Sequence, residues 1–267
     1  MSGTLGFLGF GNMGKAIAQG LVKAGALKAS SLVVYDIAQP AVQSAKELGA
    51  VIADSEQALC EGADYILLAV KPNVAQGALK ATGGAASGKA LLSIVAGVDH
   101  KSLLEWAGTP VRILRIMPNT PALVSAGVFG FSLDTTLTQA EQETVVRWFS
   151  EIGLVEWVGE ELMDAVTGLS GGAPAYVAMF VEALADGGVQ QGLKREAAYR
   201  LAAQTVLGTA KLILDTGMHP AAVKDAVCFP GGTTIEGILA LERNGMRAAV
   251  ADAVVSSSEK SKRLNKH

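Results

Sequence analysis

Short, nearly unbroken apolar runs recur through the first half of this chain, at residues 4–8, 32–35, 63–70, 90–95 and 111–117. Continuous rather than alternating hydrophobicity fits strands covered on both faces. Helix-like segments separate most of them, so the expected arrangement is a parallel sheet with right-handed crossovers. Runs at 127–132 and 153–158 are expected to add two edge strands around a helix near 139–151. Beyond about residue 160 the β-rich runs stop. Residues 174–187, 195–216, 233–243 and 246 onward read as helices, with Gly217 ending the second of them. In the 195–216 segment the apolar residues cover more than one helical face, which implies burial on several sides.

Composition removes several functional classes. Half of the 267 residues are hydrophobic and 18% are charged, which excludes wholesale disorder. Mean hydropathy is high, +0.34, yet no apolar stretch reaches the roughly 20 residues of a membrane span. Surface buried between subunits accounts for the excess. Net charge is −3, so neither nucleic acid nor an anionic membrane is an expected partner. No basic segment precedes the first apolar run, so no signal peptide is expected and the default location is cytoplasmic. Cys60 and Cys228 form no CxxC pair and are expected to be buried. His100, His219 and His267 lack metal-ligand spacing and are expected at surface or helix-end positions. The basic residues Lys260, Lys262, Arg263 and Lys266 read as a solvated helix end.

The first strand runs straight into "GFGNMG", where Gly9, Phe10, Gly11, Asn12, Met13 and Gly14 spell Gly-x-Gly-x-x-Gly. Alone the motif is weak, but here it follows a strand and opens a helix, as dinucleotide binding requires. Gly9 permits the tight turn, Gly11 admits the pyrophosphate and Gly14 allows helix-to-strand packing. The second strand ends at Asp36, where an acidic residue meets the adenosine ribose; a helix cap or turn is the plainer role for such a residue. A carboxylate there accepts from the 2'-OH of NAD and repels the 2'-phosphate of NADP. No Lys or Arg lies between Ser31 and Ala45, so NADH is the favoured cofactor, with NADPH the alternative.

Two loops, "LAVKPN" (68–73) and "RIMPNTPA" (115–122), end strands at the carboxyl edge, where open α/β sheets bind ligands. Near the C-terminus, "VCFPGGTTIEG" (227–237) sets glycines before a helix start, an arrangement suited to anions. Thr233 and Thr234 there read as N-cap candidates. No Ser-His-Asp set, metal cluster or clear general base accompanies these loops. Hydride transfer to a C=N bond needs orientation and one proton donor, because the cofactor carries the hard chemistry.

The glycine loop, "AVKP", "MPNTP", "GLSGGAPAY" and "PGGTTIEG" resemble, in order and spacing, those of pyrroline-5-carboxylate reductases over essentially the whole chain. The resemblance implies an α/β N-terminal Rossmann dinucleotide-binding domain, 1–160. It also implies an all-α substrate-binding and dimerisation domain, 161–267. The implied reaction is reduction of 1-pyrroline-5-carboxylate to L-proline by NADPH or NADH, in a homodimer that can assemble into a decamer. The site would lie between the cofactor domain and the helical dimer interface.

Carried over, Thr234 matches the catalytic hydroxyl on the substrate ring nitrogen. Gly231, Gly232, Thr233 and Val227 match the substrate side, with the amides of Gly232 and Thr233 cradling the carboxylate. Ala69, Val70, Lys71, Pro72, Ala96, Gly97, Pro118 and Asn119 match the cofactor side. Two departures stand out: Gly172 replaces a usual Ser, and Phe229 replaces a small hydroxyl residue before Pro-Gly-Gly. Alternatives are a reductase of a related cyclic imine, a β-hydroxyacid dehydrogenase-like oxidoreductase, or a dinucleotide-binding protein without catalysis. The dehydrogenase needs a Lys after the cofactor domain, and none occurs from Leu162 to Gly192.

Overall fold

The computed structural model describes residues 3–264, so Lys266 and His267 lie outside the described residues. The chain divides into two compact units, residues 1–172 with 256–267, and residues 173–255.

In the first unit, β1 (Leu5–Leu8) leads to α1 (Asn12–Lys23), β2 (Leu32–Tyr35), α2 (Gln39–Leu48), β3 (Val51–Ile52) and α3 (Glu56–Glu61). There follow β4 (Tyr65–Leu68), α4 (Pro72–Ala81), β5 (Ala90–Ser93), α5 (His100–Ala107) and β6 (Arg112–Pro118). Then come β7 (Gly127–Ser132), α6 (Gln139–Ser150), β8 (Gly153–Val158) and α7 (Met163–Val166). The strand order is β3-β2-β1-β4-β5-β6-β7-β8, parallel through β6. Order reverses between β1 and β4, which opens the ligand crevice of doubly wound sheets at their carboxyl ends.

Two expectations are corrected here. The sheet is mixed, because β7 pairs antiparallel with β6 and parallel with β8. Residues 120–124 form only a tight 3-10 turn between β6 and β7, too short for a crossover helix. For the same reason β7 is an interior strand, and only β8 is an edge. The short strand β3 was not anticipated; two residues carry too little periodicity to register.

Apolar residues alternate between the two covered faces. Leu5 and Phe7 of β1, Leu67 of β4 and Leu92 of β5 join Ile17, Leu21, Phe129 and Phe149 on one side. Leu8, Ile66, Leu68 and Leu91 join Leu59, Leu79 and Leu103 on the other. Burying each such side chain contributes roughly 1.5–3 kcal/mol, which explains why the strand runs are apolar without a break. At one end, Arg112 of β6 makes a bidentate ion pair with Glu141 of α6, and Glu141 also closes a capping box with Thr138. Burial alone would raise the Glu141 carboxyl, but Arg112 and the Thr138 bonds hold it below the usual carboxylate range.

The second unit is helical: α8 (Ala173–Gln190), α9 (Arg195–Thr216), α10 (Pro220–Ala226), α11 (Thr233–Arg243) and the first part of α12 (Met246–Leu264). Gly217 adopts the left-handed conformation that closes α9, as expected. Helices α8 and α9 share only a small Ala-based core of Ala185, Ala198 and Ala202. No residue of α11 is buried. Helices α10, α11 and α12 line an apolar groove of about 610 Å³ that includes Ile238, Leu241 and Val250. The end of α12 belongs to the first unit, where Ser261 donates to Asp164 at 2.5 Å.

Cys60 is buried, and burial pushes its thiol up to about 11. Cys228 departs from expectation: it is only partly buried, because it lies in the loop after a seven-residue helix that has no buried residue. His100 opens α5 and His219 caps α10, its Nδ1 accepting from the Ala221 N–H. No described helix is long and apolar enough to cross a membrane, and the described residues hold no metal-ligating cluster.

Candidate functional site

Five loops share the carboxyl edge of the parallel strands. The glycine loop follows β1, Asp36 follows β2, Ala69 to Pro72 follow β4, Ala96 and Gly97 follow β5, and Pro118 with Asn119 ends β6.

The glycine loop meets the geometric demands of a dinucleotide cradle. Gly9 has φ +95°, and a Cβ there would sit 2.6 Å from Val70 Cγ1 and 2.9 Å from the Ala69 carbonyl oxygen. A Cβ on Gly14 would lie 2.9 Å from the Gly9 carbonyl oxygen, so α1 packs against the loop only because Gly14 has no side chain. Gly11 differs: nothing lies within 4 Å of its Cβ position, which leaves room for a phosphate against bare backbone. Gly11 is the N-cap of α1 and no side chain caps it. The first-turn N–H groups therefore point outward with no helical acceptor, at the positive end of the helix dipole. These residues fit a bound pyrophosphate.

Asp36 closes the loop from the other side. Its Oδ2 accepts from the Phe10 N–H at 2.6 Å and its Oδ1 from the Ala38 N–H at 2.8 Å. The turn role and the loop role thus coexist, since a carboxylate has about four acceptor sites and can still receive ribose hydroxyls. Beside it Ile37 is 86% exposed, an apolar side chain that sequence reasoning passed over. Lys15 donates to Ser44 at 3.0 Å, joining α1 to α2. Lys71 is an exposed N-cap and Pro72 opens α4, so Val70, Lys71 and Pro72 form a stiff turn alongside Gly9.

Asn119 has a different environment from its neighbours. It is 6% exposed, and its carboxamide accepts from the Val128 N–H at 2.8 Å and donates to the Ser170 carbonyl at 3.2 Å. Ser170 sits in a π-helical turn over Thr167–Gly171, closed by the Gly172 N–H on the Thr167 carbonyl at 2.9 Å. Nothing in the periodicity of "TGLSGG" signals a π-turn. Gly172, the departure from the family pattern, ends it.

On the second unit, the expected substrate loop is open. Gly231 has φ +69° with no atom near its Cβ position. Gly232 is the N-cap of α11, which corrects the reading of Thr233 or Thr234 as caps: both lie inside the first turn, because Gly232 already has the extended cap conformation. Their side chains are consequently free of capping, and the first-turn N–H groups suit a carboxylate. Thr233 and Thr234 are exposed, and Val227 and Phe229 are 53% and 69% exposed. The Phe229 ring is thus solvated in a single chain.

Comparisons with known proteins agree with this layout. Residues 160–264 match the family model for pyrroline-5-carboxylate reductase dimerisation, and residues 4–97 the model for NADP oxidoreductase, coenzyme F420-dependent. The chain is 41% identical over 268 residues to pyrroline-5-carboxylate reductase of Escherichia coli strain K12, covering 100% of both. It superimposes on the Plasmodium falciparum pyrroline carboxylate reductase, solved with NADP bound, with TM-score 0.89, 34% identity and 98% coverage of each chain. For the Coxiella burnetii pyrroline-5-carboxylate reductase the values are 0.91, 30% and 100%. A core alternating over two sheet faces, a glycine loop held by its own contacts and full-length identity above 40% lead to one conclusion: this chain belongs to the pyrroline-5-carboxylate reductase family.

Proposed function

We propose that this chain reduces 1-pyrroline-5-carboxylate to L-proline with a nicotinamide dinucleotide. The full-length identity to reductases of this substrate is the observation that carries it. When bound, the dinucleotide supplies the hydride that the C=N carbon accepts. The chain's own groups bind and orient. The glycine loop and the N-terminus of α1 hold the pyrophosphate, and Asp36 holds the adenosine ribose. Ala69, Val70, Lys71, Pro72, Ala96, Gly97 and Pro118 shape the nicotinamide end of the edge.

The N–H groups of Gly232 and Thr233 receive the substrate carboxylate, with Gly231 supplying the turn and Val227 an apolar flank. Thr234 hydrogen-bonds the ring nitrogen, where the proton of the product amine resides, and so stabilises charge that changes during transfer. This assignment divides labour near residue 160, with the cofactor on the N-terminal side and the substrate loop in 161–267.

NADH is the preferred donor in this reading. The Asp36 carboxylate already lies against the loop N–H of Phe10, and a 2'-phosphate beside it would meet like charge. The chain acts as a homodimer, supported by the dimerisation-family match and by the apolar groove of α10, α11 and α12. A decamer built from five such dimers is the larger assembly. The test is turnover: purified protein should oxidise NADH, and NADPH less efficiently, only when the cyclic imine acid is present. Absence of turnover with both donors refutes the reading, and a higher kcat/KM for NADPH refutes the Asp36 argument.

A further inference from the structure

Ser170 carries a carbonyl with no helical future. Four residues on stands Pro174, which has no N–H, so the bond an α-helix would send to that oxygen cannot form. Asn119 fills the place: its Nδ2 donates to the Ser170 oxygen. Its Oδ1 is committed equally firmly, to the Val128 N–H at the start of β7. The two partners fix the amide orientation, since a backbone N–H requires the oxygen and a carbonyl requires the NH2. Close packing follows the same line. Met117 Cε lies 2.9 Å from where a Gly171 Cβ would be, and Val166 Cγ1 lies 2.6 Å from the Cβ position of Gly130.

We propose that Asn119, which the resemblance placed on the cofactor side, is instead a positioning residue: through its two hydrogen bonds it seats the π-turn Thr167–Gly171 beside the nicotinamide end of the sheet edge, and it does not contact the dinucleotide. The inference rests on the reductase reading above. A dinucleotide laid with its ribose on Asp36 and its pyrophosphate on the glycine loop extends toward β4, β5 and β6. The π-turn is pinned at the β6 end of that line. Turns of this type interrupt helical hydrogen bonding and recur at functional sites.

The test uses the full-length enzyme, with Asn119→Ala and Asn119→Asp. Three readouts separate the roles: NADH affinity by nicotinamide fluorescence, hydrogen exchange of residues 167–172 without dinucleotide, and kcat with the imine acid. In Asn119→Ala the orphaned Ser170 carbonyl and Val128 N–H should speed exchange of the turn by roughly 10-fold or more. The same change should lower kcat by about 10-fold, with NADH affinity within roughly threefold of the parent. In Asn119→Asp the carboxylate still accepts from Val128 but repels the Ser170 carbonyl. Its kcat relative to the parent should therefore be low at pH 8 and recover as pH falls, because the protonated acid donates an O–H to Ser170.

A tenfold loss of NADH affinity with unchanged exchange would make Asn119 a dinucleotide contact and overturn the proposal. So would altered exchange with unchanged kcat, or an Asp variant whose relative rate ignores pH. If the parent itself fails to reduce the imine acid, the functional reading falls, and the exchange and affinity readouts still decide what Asn119 does.

Discussion

Two loops in this chain set glycines before a helix N-terminus, and their surroundings are opposite. At Gly9 and Gly14 the first loop is crowded by its own unit, since Val70, Ala69 and the loop's own backbone occupy the space that side chains would need, while Gly11 alone stays open. The strand before it is fully buried. The loop of Gly231 to Thr234 has open space at Gly231, exposed threonines, an exposed Phe229 and a following helix with no buried residue. One chain is sufficient to pack the glycine loop. The loop of Gly231 to Thr234, the proposed substrate side, has little packing of its own, and a second copy on the apolar flank of α10 to α12 is the support we propose. Preorganised groups are what transition-state binding requires, which makes the open loop the more sensitive to assembly.

That contrast yields tests of decreasing size. Gly9→Ala should have the largest effect. It adds a Cβ at φ +95° into contact with Val70 and the Ala69 carbonyl, and should weaken NADH binding by about 100-fold or more in a titration. A Gly231→Ala variant, strained only in its backbone, should leave NADH binding intact and impair use of the imine acid; equal loss of NADH binding in both would erase the distinction between the loops.

Ile238→Asp, placing a charge in the apolar groove, should shift the protein to monomer by sedimentation and lower turnover by up to about 100-fold while NADH still binds. A monomer of full activity would show that the substrate loop needs no support. Thr234→Ala should lower kcat/KM for the imine acid by roughly 10- to 100-fold, the value of one hydrogen bond to a charged group, with little change in Tm because Thr234 caps nothing. Asp36→Asn keeps an acceptor for the Phe10 N–H and removes the charge, so the NADPH-to-NADH ratio of kcat/KM should rise by about 10-fold.

The smallest effect concerns stability alone. The Glu141 carboxyl is depressed in the folded state, so its contribution is present above the ordinary carboxylate pKa and is lost as pH falls through the depressed value. Glu141→Gln should cost about 1–2 kcal/mol by denaturant unfolding at pH 7. That cost should shrink in acid, with NADH binding at neutral pH unaltered.

Much of the first unit was legible because its signals are local. Continuous apolar strands, a glycine spacing and an acidic residue at the end of β2 are each set by backbone sterics or by burial on two faces, and neighbours in sequence suffice to express them. The helices 195–216 and 233–243 likewise announced themselves by composition and by Gly217. The family's motifs marked 227–237 as the proposed substrate loop. Other features needed the folded chain. The antiparallel turn into β7 depends on which strand a six-residue segment pairs with, and its sequence is apolar in either case. The capping of α11 by Gly232 rather than a threonine depends on where the backbone leaves the extended region. The return of α12's end to the first unit brings Ser261 onto Asp164, 97 residues apart in sequence.

Asn119 shows the division most clearly. The sequence by itself determined that a stiff loop ends β6 and that Pro174 has no N–H to offer. Only the tertiary structure decided that the side chain answering that loss comes from Asn119, because a hydrogen bond across 51 residues is written in the packing of strands and not in any local pattern.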